Sequence, residues 1–302
     1  MNTADFKIQD ALDALGIKDI NLGTSTGSNS FANGPHLDSL SPVDGKKIGI
    51  IGLDTSHSLA FTKLLFEDTT NEFEGYRVVA AYPFGSKDLP LSIERIPIQT
   101  EEIKKYNVQI VDSIAELLKK VDVVLLETND GRLHLKQALE VIKAKKPFFI
   151  DKPMAASLAD AKAIFKAAAK HNVPVFSSSS LRFMTQVNDV KSGKYGEVLG
   201  AETYSPAIIE KTHPDLFWYG IHGVESLFAV MGSGCVSVSS VSTESAEVVT
   251  GIWNDGRVGT FTGYRIGRSD FGGTCFCENE VVQLGPYTGY DPLLKEIVDF
   301  FE

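Results

Sequence analysis

Residues 47–57 constrain this chain more than any other segment. An apolar run, Ile48-Gly49-Ile50-Ile51, ends at Gly52, and a helical pattern begins at about Ser56. A strand, a glycine turn and a helix in this order build an anion cradle, because the free N–H groups of the helix N-terminus face a phosphate. In the G-x-G-x-x-G form of that turn the glycines admit a pyrophosphate and allow close helix–strand packing. Here Gly52 holds the first position, but Asp54 holds the second and His57 the third. Asp54 would set a carboxylate near the pyrophosphate, and His57 would set a ring where packing favours no side chain. The turn predicts the fold well and the cofactor less well. Gly52, Asp54, Thr55, Ser56 and His57 are its expected cofactor-facing residues.

From Lys47 onward, strands and helices alternate. Strands are expected at 48–53, 77–82, 108–111, 121–127, 147–150 and 173–178, and helices at 56–67, 100–106, 113–120, 134–144 and 157–171. Ser157 and Asp160 mark a capping box before the last of these. The strands are continuous apolar runs, the pattern of parallel strands buried on both faces. The predicted fold over 47–180 is therefore an α/β Rossmann-like doubly wound parallel sheet, a dinucleotide-binding domain. Beyond Phe183 the apolar runs at 198–204, 235–242, 246–253, 257–264 and 274–283 lack intervening helices, apart from one near 218–231. They predict a C-terminal α+β domain over 181–302 with a largely antiparallel sheet, for substrate and oligomerisation. Its last helical pattern, from Asp291, carries Leu293, Ile297, Val298 and Phe301 on a face that nothing follows, so the domain is expected to be truncated. Residues 1–46 read as an N-terminal extension, with one short amphipathic helix over 5–16.

The charge balance narrows the partners. With 39 acidic and 29 basic side chains the chain carries a net charge of −10. That excludes nucleic acid as a main partner and disfavours an anionic membrane. No apolar run approaches the ~20 residues of a membrane span, and residues 1–20 lack a signal-peptide core. The three cysteines fit a reducing compartment. A cytoplasmic location is expected. Cys275 and Cys277 read as alternate strand residues, and no metal site is expected, since nothing near them completes a four-ligand set.

Two side chains carry the candidate chemistry. Lys152 follows a buried strand and precedes Pro153, which places an ammonium at the carboxyl end of a parallel sheet, where open α/β folds bind ligands. It could exchange a proton with a substrate hydroxyl, or simply be a surface lysine. His222 lies early in an apolar helix behind Trp218 and Tyr219. It could act as a general base, or be a core histidine satisfied by backbone. The serine run 177–180, followed by Arg182, crosses from one domain to the next, where clefts form. Its hydroxyls and Arg182 could line a polar cleft, or the serines could serve close packing. After the second strand the chain reads Tyr82-Pro83-Phe84-Gly85-Ser86-Lys87, with no acid for a ribose. Ser86 and Lys87 could meet a 2′-phosphate, or form a solvated loop. Glu127 could bond a ribose or face solvent, and His134 could cap its helix or lie near the cofactor.

Three segments carry a resemblance over residues 47–302: Asp151-Lys152-Pro153, Thr128-Asn129-Asp130-Gly131-Arg132-Leu133-His134 and Gly220-Ile221-His222-Gly223-Val224-Glu225. Together they resemble the Gfo/Idh/MocA oxidoreductases, which include glucose–fructose oxidoreductase and inositol dehydrogenase. The resemblance implies NAD or NADP as cofactor and a sugar, polyol or related hydroxy compound as substrate. It implies Lys152 and His222 as catalytic residues, with Thr128, Asn129, His134, Asp151 and Lys152 beside the cofactor. Arg182, Trp218, Tyr219 and His222 would meet the substrate, and the C-terminal sheet would mediate a homo-oligomer. Trp218 stands where the family has an aspartate, so Asp215 or Glu225 would have to replace that carboxylate. Asp54, His57 and Trp218 together keep open a non-redox ligand sensor or pseudoenzyme, or a lyase or hydrolase that retains NAD. Residues 22–31 and 41–48 resemble the N-terminal arm of an aldehyde dehydrogenase, whose catalytic segments do not follow.

Overall fold

The computed structural model describes residues 45–267 and 270–302. The expected helix at 5–16 and the aldehyde-dehydrogenase-like segment at 22–31 lie outside the described residues. The segment at 41–48 does so in part.

The first half alternates as its apolar runs require: β1 (Lys47–Ile51), α1 (Ser56–Glu67), β2 (Arg77–Tyr82), α2 (Pro90–Ile103), β3 (Gln109–Ile110), α3 (Ile114–Leu117), β4 (Val123–Leu126), α4 (Gly131–Lys143), β5 (Phe148–Ile150), α5 (Leu158–His171) and β6 (Val175–Ser177). The six strands form one parallel sheet in the order β3-β2-β1-β4-β5-β6, the strand order of dinucleotide-binding domains. β4 and β5 are buried along their whole length, which explains their unbroken apolar sequence. The Ser157 hydroxyl accepts from Asp160 N, the expected cap of α5.

One helix corrects the sequence reading. α2 begins at Pro90, ten residues before the expected start. A proline in the first turn lacks an N–H that has no helical partner anyway, so the Pro- and Ser-rich stretch is helical rather than a loop. Pro97 lies inside it.

The second half adds α6 (Thr185–Lys191), β7 (Val198–Pro206), α7 (Ile221–Met231), β8 (Cys235–Ser242), β9 (Ala246–Trp253), β10 (Val258–Tyr264), β11 (Gly272–Cys277), β12 (Val281–Leu284) and α8 (Asp291–Phe301). Its sheet runs β12-β11-β7-β10-β9-β8. Only the β7–β10 pair is parallel; the others are antiparallel. α7 lies on one face, its Leu227, Val230 and Met231 packed among Trp253, Phe261 and Ala201. Gly223 is needed for this approach, because a Cβ there would fall 2.4 Å from the Phe261 ring. Cys275 and Cys277 occupy alternate inward positions of β11 and are buried.

α8 also corrects an expectation. Its apolar face is covered, not open. Leu293, Leu294, Ile297, Val298 and Phe301 are buried in one core with Ile48, Ile50, Phe61 and Phe149 of the parallel-sheet half. The chain therefore returns to its first sheet. The sequence showed the face but not a partner more than 200 residues away.

Candidate active site

A pocket forms where the carboxyl ends of β1, β4 and β5 meet the second half. It is lined by Thr55, Ser56, His57, Leu91, Arg95, Asn129, Asp151 and Lys152 on one side. Ser180, Leu181, Trp218, Tyr219, His222, Phe271, Tyr287 and Tyr290 line the other.

The glycine turn keeps its first position. Gly52 has φ +95°, and a Cβ there would sit 2.4 Å from Thr128 N, so only glycine fits. Asp54 departs from its expected place. Its carboxylate is fully buried and turned to the protein, accepting from Asn129 N at 2.9 Å and Ser92 Oγ at 2.6 Å. Burial pushes this carboxyl up to about 6, against the hydrogen bonds that favour its charge. It does not line the pocket. His57 fits because other rings make room for it. It stacks on Phe61 with centroids 5.0 Å apart and meets Tyr290 edge-on at 4.6 Å.

Glu127, which the sequence left between ribose and solvent, is fully buried. Its Oε2 accepts from Thr55 Oγ1 at 3.2 Å, and burial together with the Asp151 charge raises its pKa well above the usual range. Burial also acts on Asp151, but the His57 and Lys152 charges outweigh it and hold that carboxyl below its usual value.

His222 is held by a hydroxyl, not a carboxylate. Its Nδ1 lies 2.7 Å from Ser179 Oγ. Glu225 instead accepts from Ser179 N at 2.7 Å and pairs with Arg182, while Asp215 is exposed. Neither acid takes the role expected for it. Burial, then the Lys152 charge, pushes the His222 imidazole well below its usual value, so it is neutral at physiological pH. Lys152 Nζ lies 5.6 Å from the Tyr219 ring centroid, a cation–π contact. Trp218 is buried against His213, centroids 4.8 Å apart.

Some expected residues lie elsewhere. His134 is fully buried, one ring nitrogen on Thr128 O and the other on Met154 O, and Asp130 caps α4 in its place. Arg182 turns to Glu225 and does not reach the pocket lining. The Ser86 hydroxyl is taken by the Asp130 carboxylate, and Lys87 is exposed. Among the lining residues that sequence reasoning did not single out, Arg95 comes from the misread start of α2. Phe271, Tyr287 and Tyr290 come from loops with no periodic signal. Ser179 lay inside the serine run, but nothing in the sequence paired it with His222.

The loops after β2 and β4 are tied together. Arg132 bonds both Asp130 and Asp88, the latter at 2.8 and 3.0 Å. β2 and β4 flank β1, so this strap joins the loops on either side of it.

Fold and site define a two-part α/β protein with a ligand pocket at the carboxyl edge of a Rossmann sheet. Residues 46–179 match the family model described as oxidoreductase family, NAD-binding Rossmann fold, of the Gfo/Idh/MocA group. No curated protein matches the chain in sequence. Solved structures share the fold. Myo-inositol 2-dehydrogenase from Lactobacillus plantarum is 15% identical, with 85% of this chain and 88% of that chain covered at a TM-score of 0.67. UDP-N-acetylglucosamine 3-dehydrogenase from Acidithiobacillus ferrooxidans is 16% identical, with 85% and 88% covered at 0.66. GenD2 from gentamicin A biosynthesis, in complex with NAD, is 15% identical, with 84% and 75% covered at 0.65.

Proposed function

We propose that the chain is an NAD(P)-dependent oxidoreductase of the Gfo/Idh/MocA type acting on a CH–OH group of a sugar, polyol or related compound. The observation that carries this reading is the meeting of Lys152 and a neutral His222 in one pocket, beside the N-terminus of α1. The match of residues 46–179 to an NAD-binding family supports it, as does the fold shared with sugar and inositol dehydrogenases.

The residues fit a dinucleotide at the phosphate end. α1 has no acid in its first turn, and its N-cap Thr55 makes no capping bond, so its N–H groups are free for an anion. Thr128 Oγ1 and Asn129 Nδ2 are buried without partners beside the Gly52 cradle. These residues, with Thr55, Ser56 and Lys152, would hold the cofactor, which supplies the hydride chemistry when bound. The protein manages the proton. A neutral His222 accepts it from the substrate hydroxyl, and the bond to Ser179 fixes the ring for this. Lys152 stabilises the developing alkoxide by its charge. Trp218 and Tyr219 offer aromatic walls to the apolar face of a sugar ring. The central assay screens sugars and polyols with NAD and NADP. Lys152→Ala should abolish turnover without unfolding the chain, and undiminished turnover would remove Lys152 from the mechanism.

One observation favours a second reading. The strap of Ser86, Asp88, Asp130 and Arg132 spans the path toward the adenosine end, and no acid stands at the end of β2. A ligand sensor or pseudoenzyme that holds no dinucleotide would tolerate that closure; a lyase or hydrolase retaining NAD would not. The outer face of the second sheet exposes Leu199, Tyr204, Val248, Ile252, Val258 and Tyr264, which supports a homo-oligomer through that face; a monomer by analytical ultracentrifugation would contradict it. No helix among the described residues is long and apolar enough to cross a membrane.

A further inference from the structure

Three side chains of metal-ligating type meet beside the pocket, His57 and Asp151 in its lining and Glu127 behind them. His57 stands in the first turn of α1, directly after β1. Glu127 follows β4 and Asp151 follows β5. These strands are neighbours in the order β1-β4-β5. The ladder continues past their ends, with Glu127 N donating to Ile51 O at 2.7 Å and Asp151 N to Leu126 O at 2.9 Å. The two carboxylates are therefore held on a rigid backbone frame.

The three offer one ligand atom each, all within 4.8 Å of one another, and all three residues are buried. His57 Nδ1 lies 2.9 Å from Asp151 Oδ1 and 3.7 Å from Glu127 Oε2. Metal–ligand bonds of about 2.1 Å place neighbouring ligand atoms roughly 3.0–3.4 Å apart, from octahedral to tetrahedral geometry. The two separations from His57 bracket that range, and the carboxylates lie within 4.8 Å of each other. Each carboxylate also keeps its other oxygen unspent. His57 Nδ1 has only its contact with Asp151 Oδ1, and Glu127 Oε1 and Asp151 Oδ2 have no partner. Two carboxylates and an imidazole in a dry site, with two unsatisfied oxygens, are costly unless something joins them.

The geometry points to a divalent transition-metal site at His57, Glu127 and Asp151. One imidazole with two carboxylates suits Zn²⁺, Mn²⁺ or Fe²⁺ better than the oxygen-only ions Mg²⁺ and Ca²⁺. Three protein ligands leave an open position, as in catalytic rather than structural sites. His57 and Asp151 line the same pocket as Lys152 and His222, so that position is within reach of a substrate oxygen. Thr55 Oγ1 on Glu127 and Lys152 N on Asp151 are the supporting bonds that orient the ligands. The histidine that displaced the third glycine of the turn thereby gains a role.

This inference does not rest on the dinucleotide reading, and its test uses metal alone. The chain is stripped with a chelator and titrated with Mn²⁺, followed by electron paramagnetic resonance, and with Zn²⁺, followed by competition with a chromophoric chelator. One site per chain is expected for at least one ion. His57→Ala and the near-isosteric Glu127→Gln should each weaken it by at least about tenfold, with circular dichroism confirming their fold. A folded wild-type chain that binds neither ion at sub-millimolar concentration overturns the inference. So does binding that survives unchanged in both variants.

Discussion

Asp54→Asn should stabilise the folded chain, and by an amount that depends on pH. The Asp54 carboxyl is buried between the glycine turn, α2 and the loop after β4, and burial raises it from 3.8 to about 6. A carboxyl whose folded pKa lies above its unfolded value favours folding most below pH 3.8. That contribution is lost as pH rises through 6, because the unfolded chain ionises more readily. A rise from 3.8 to about 6 corresponds to about 3 kcal/mol at pH 7 and above. Asparagine keeps an acceptor for Asn129 N and an amide for Ser92 Oγ, so most of this gain should survive. A shift of this size raises Tm by roughly 6–12 °C in a protein of this class. Thermal unfolding of both proteins at pH 4, 6 and 8 measures it. The curves should nearly coincide at pH 4 and separate progressively to pH 8. A separation that does not vary with pH, or a less stable variant at pH 8, would refute the reasoning.

Other expectations follow from the same geometry. Gly52→Ala should lower stability by more than about 2 kcal/mol in chemical denaturation, since it places a Cβ against Thr128 at a positive φ. Ile297→Ala should cost about 2–5 kcal/mol, because α8 seals the core over β1; a loss under 0.5 kcal/mol would show that α8 is not docked there. In kcat/KM profiles the acidic limb assigned to His222 should fall well below pH 6.5, since burial and Lys152 disfavour its protonation. Ser179→Ala should reduce kcat more than it raises KM, by freeing the ring.

The parallel sheet was legible because its strands are apolar throughout and its turns carry glycine, proline and capping residues. The second sheet was legible as an absence of helices between apolar runs. What escaped was long-range pairing. The face of α8 was plain in Leu293, Ile297, Val298 and Phe301, but its cover came from β1 and α1. The start of α2 was hidden by Pro90, which a helix tolerates in its first turn, and by Pro97 inside it. At the site, Lys152, Tyr219 and His222 were readable from local pattern and resemblance. The partner of His222 was sought in Asp215, seven residues before it, or Glu225, three after, and lies instead at Ser179 in another segment. Asp54 and His57 looked like damage to a glycine turn. Only their partners, Ser92 and Asn129 for one and Asp151 and Tyr290 for the other, show why those side chains fit.

The central claim is that this pocket binds a nicotinamide dinucleotide. Titration of the purified chain with NAD(H) and NADP(H), followed by fluorescence and by assay for co-purifying cofactor, tests it most directly. Saturable binding of one of them with micromolar affinity is the predicted result. A folded chain that binds neither and carries none would contradict the oxidoreductase account and leave the strap between the loops beside β1 as the closure of a site with a different ligand.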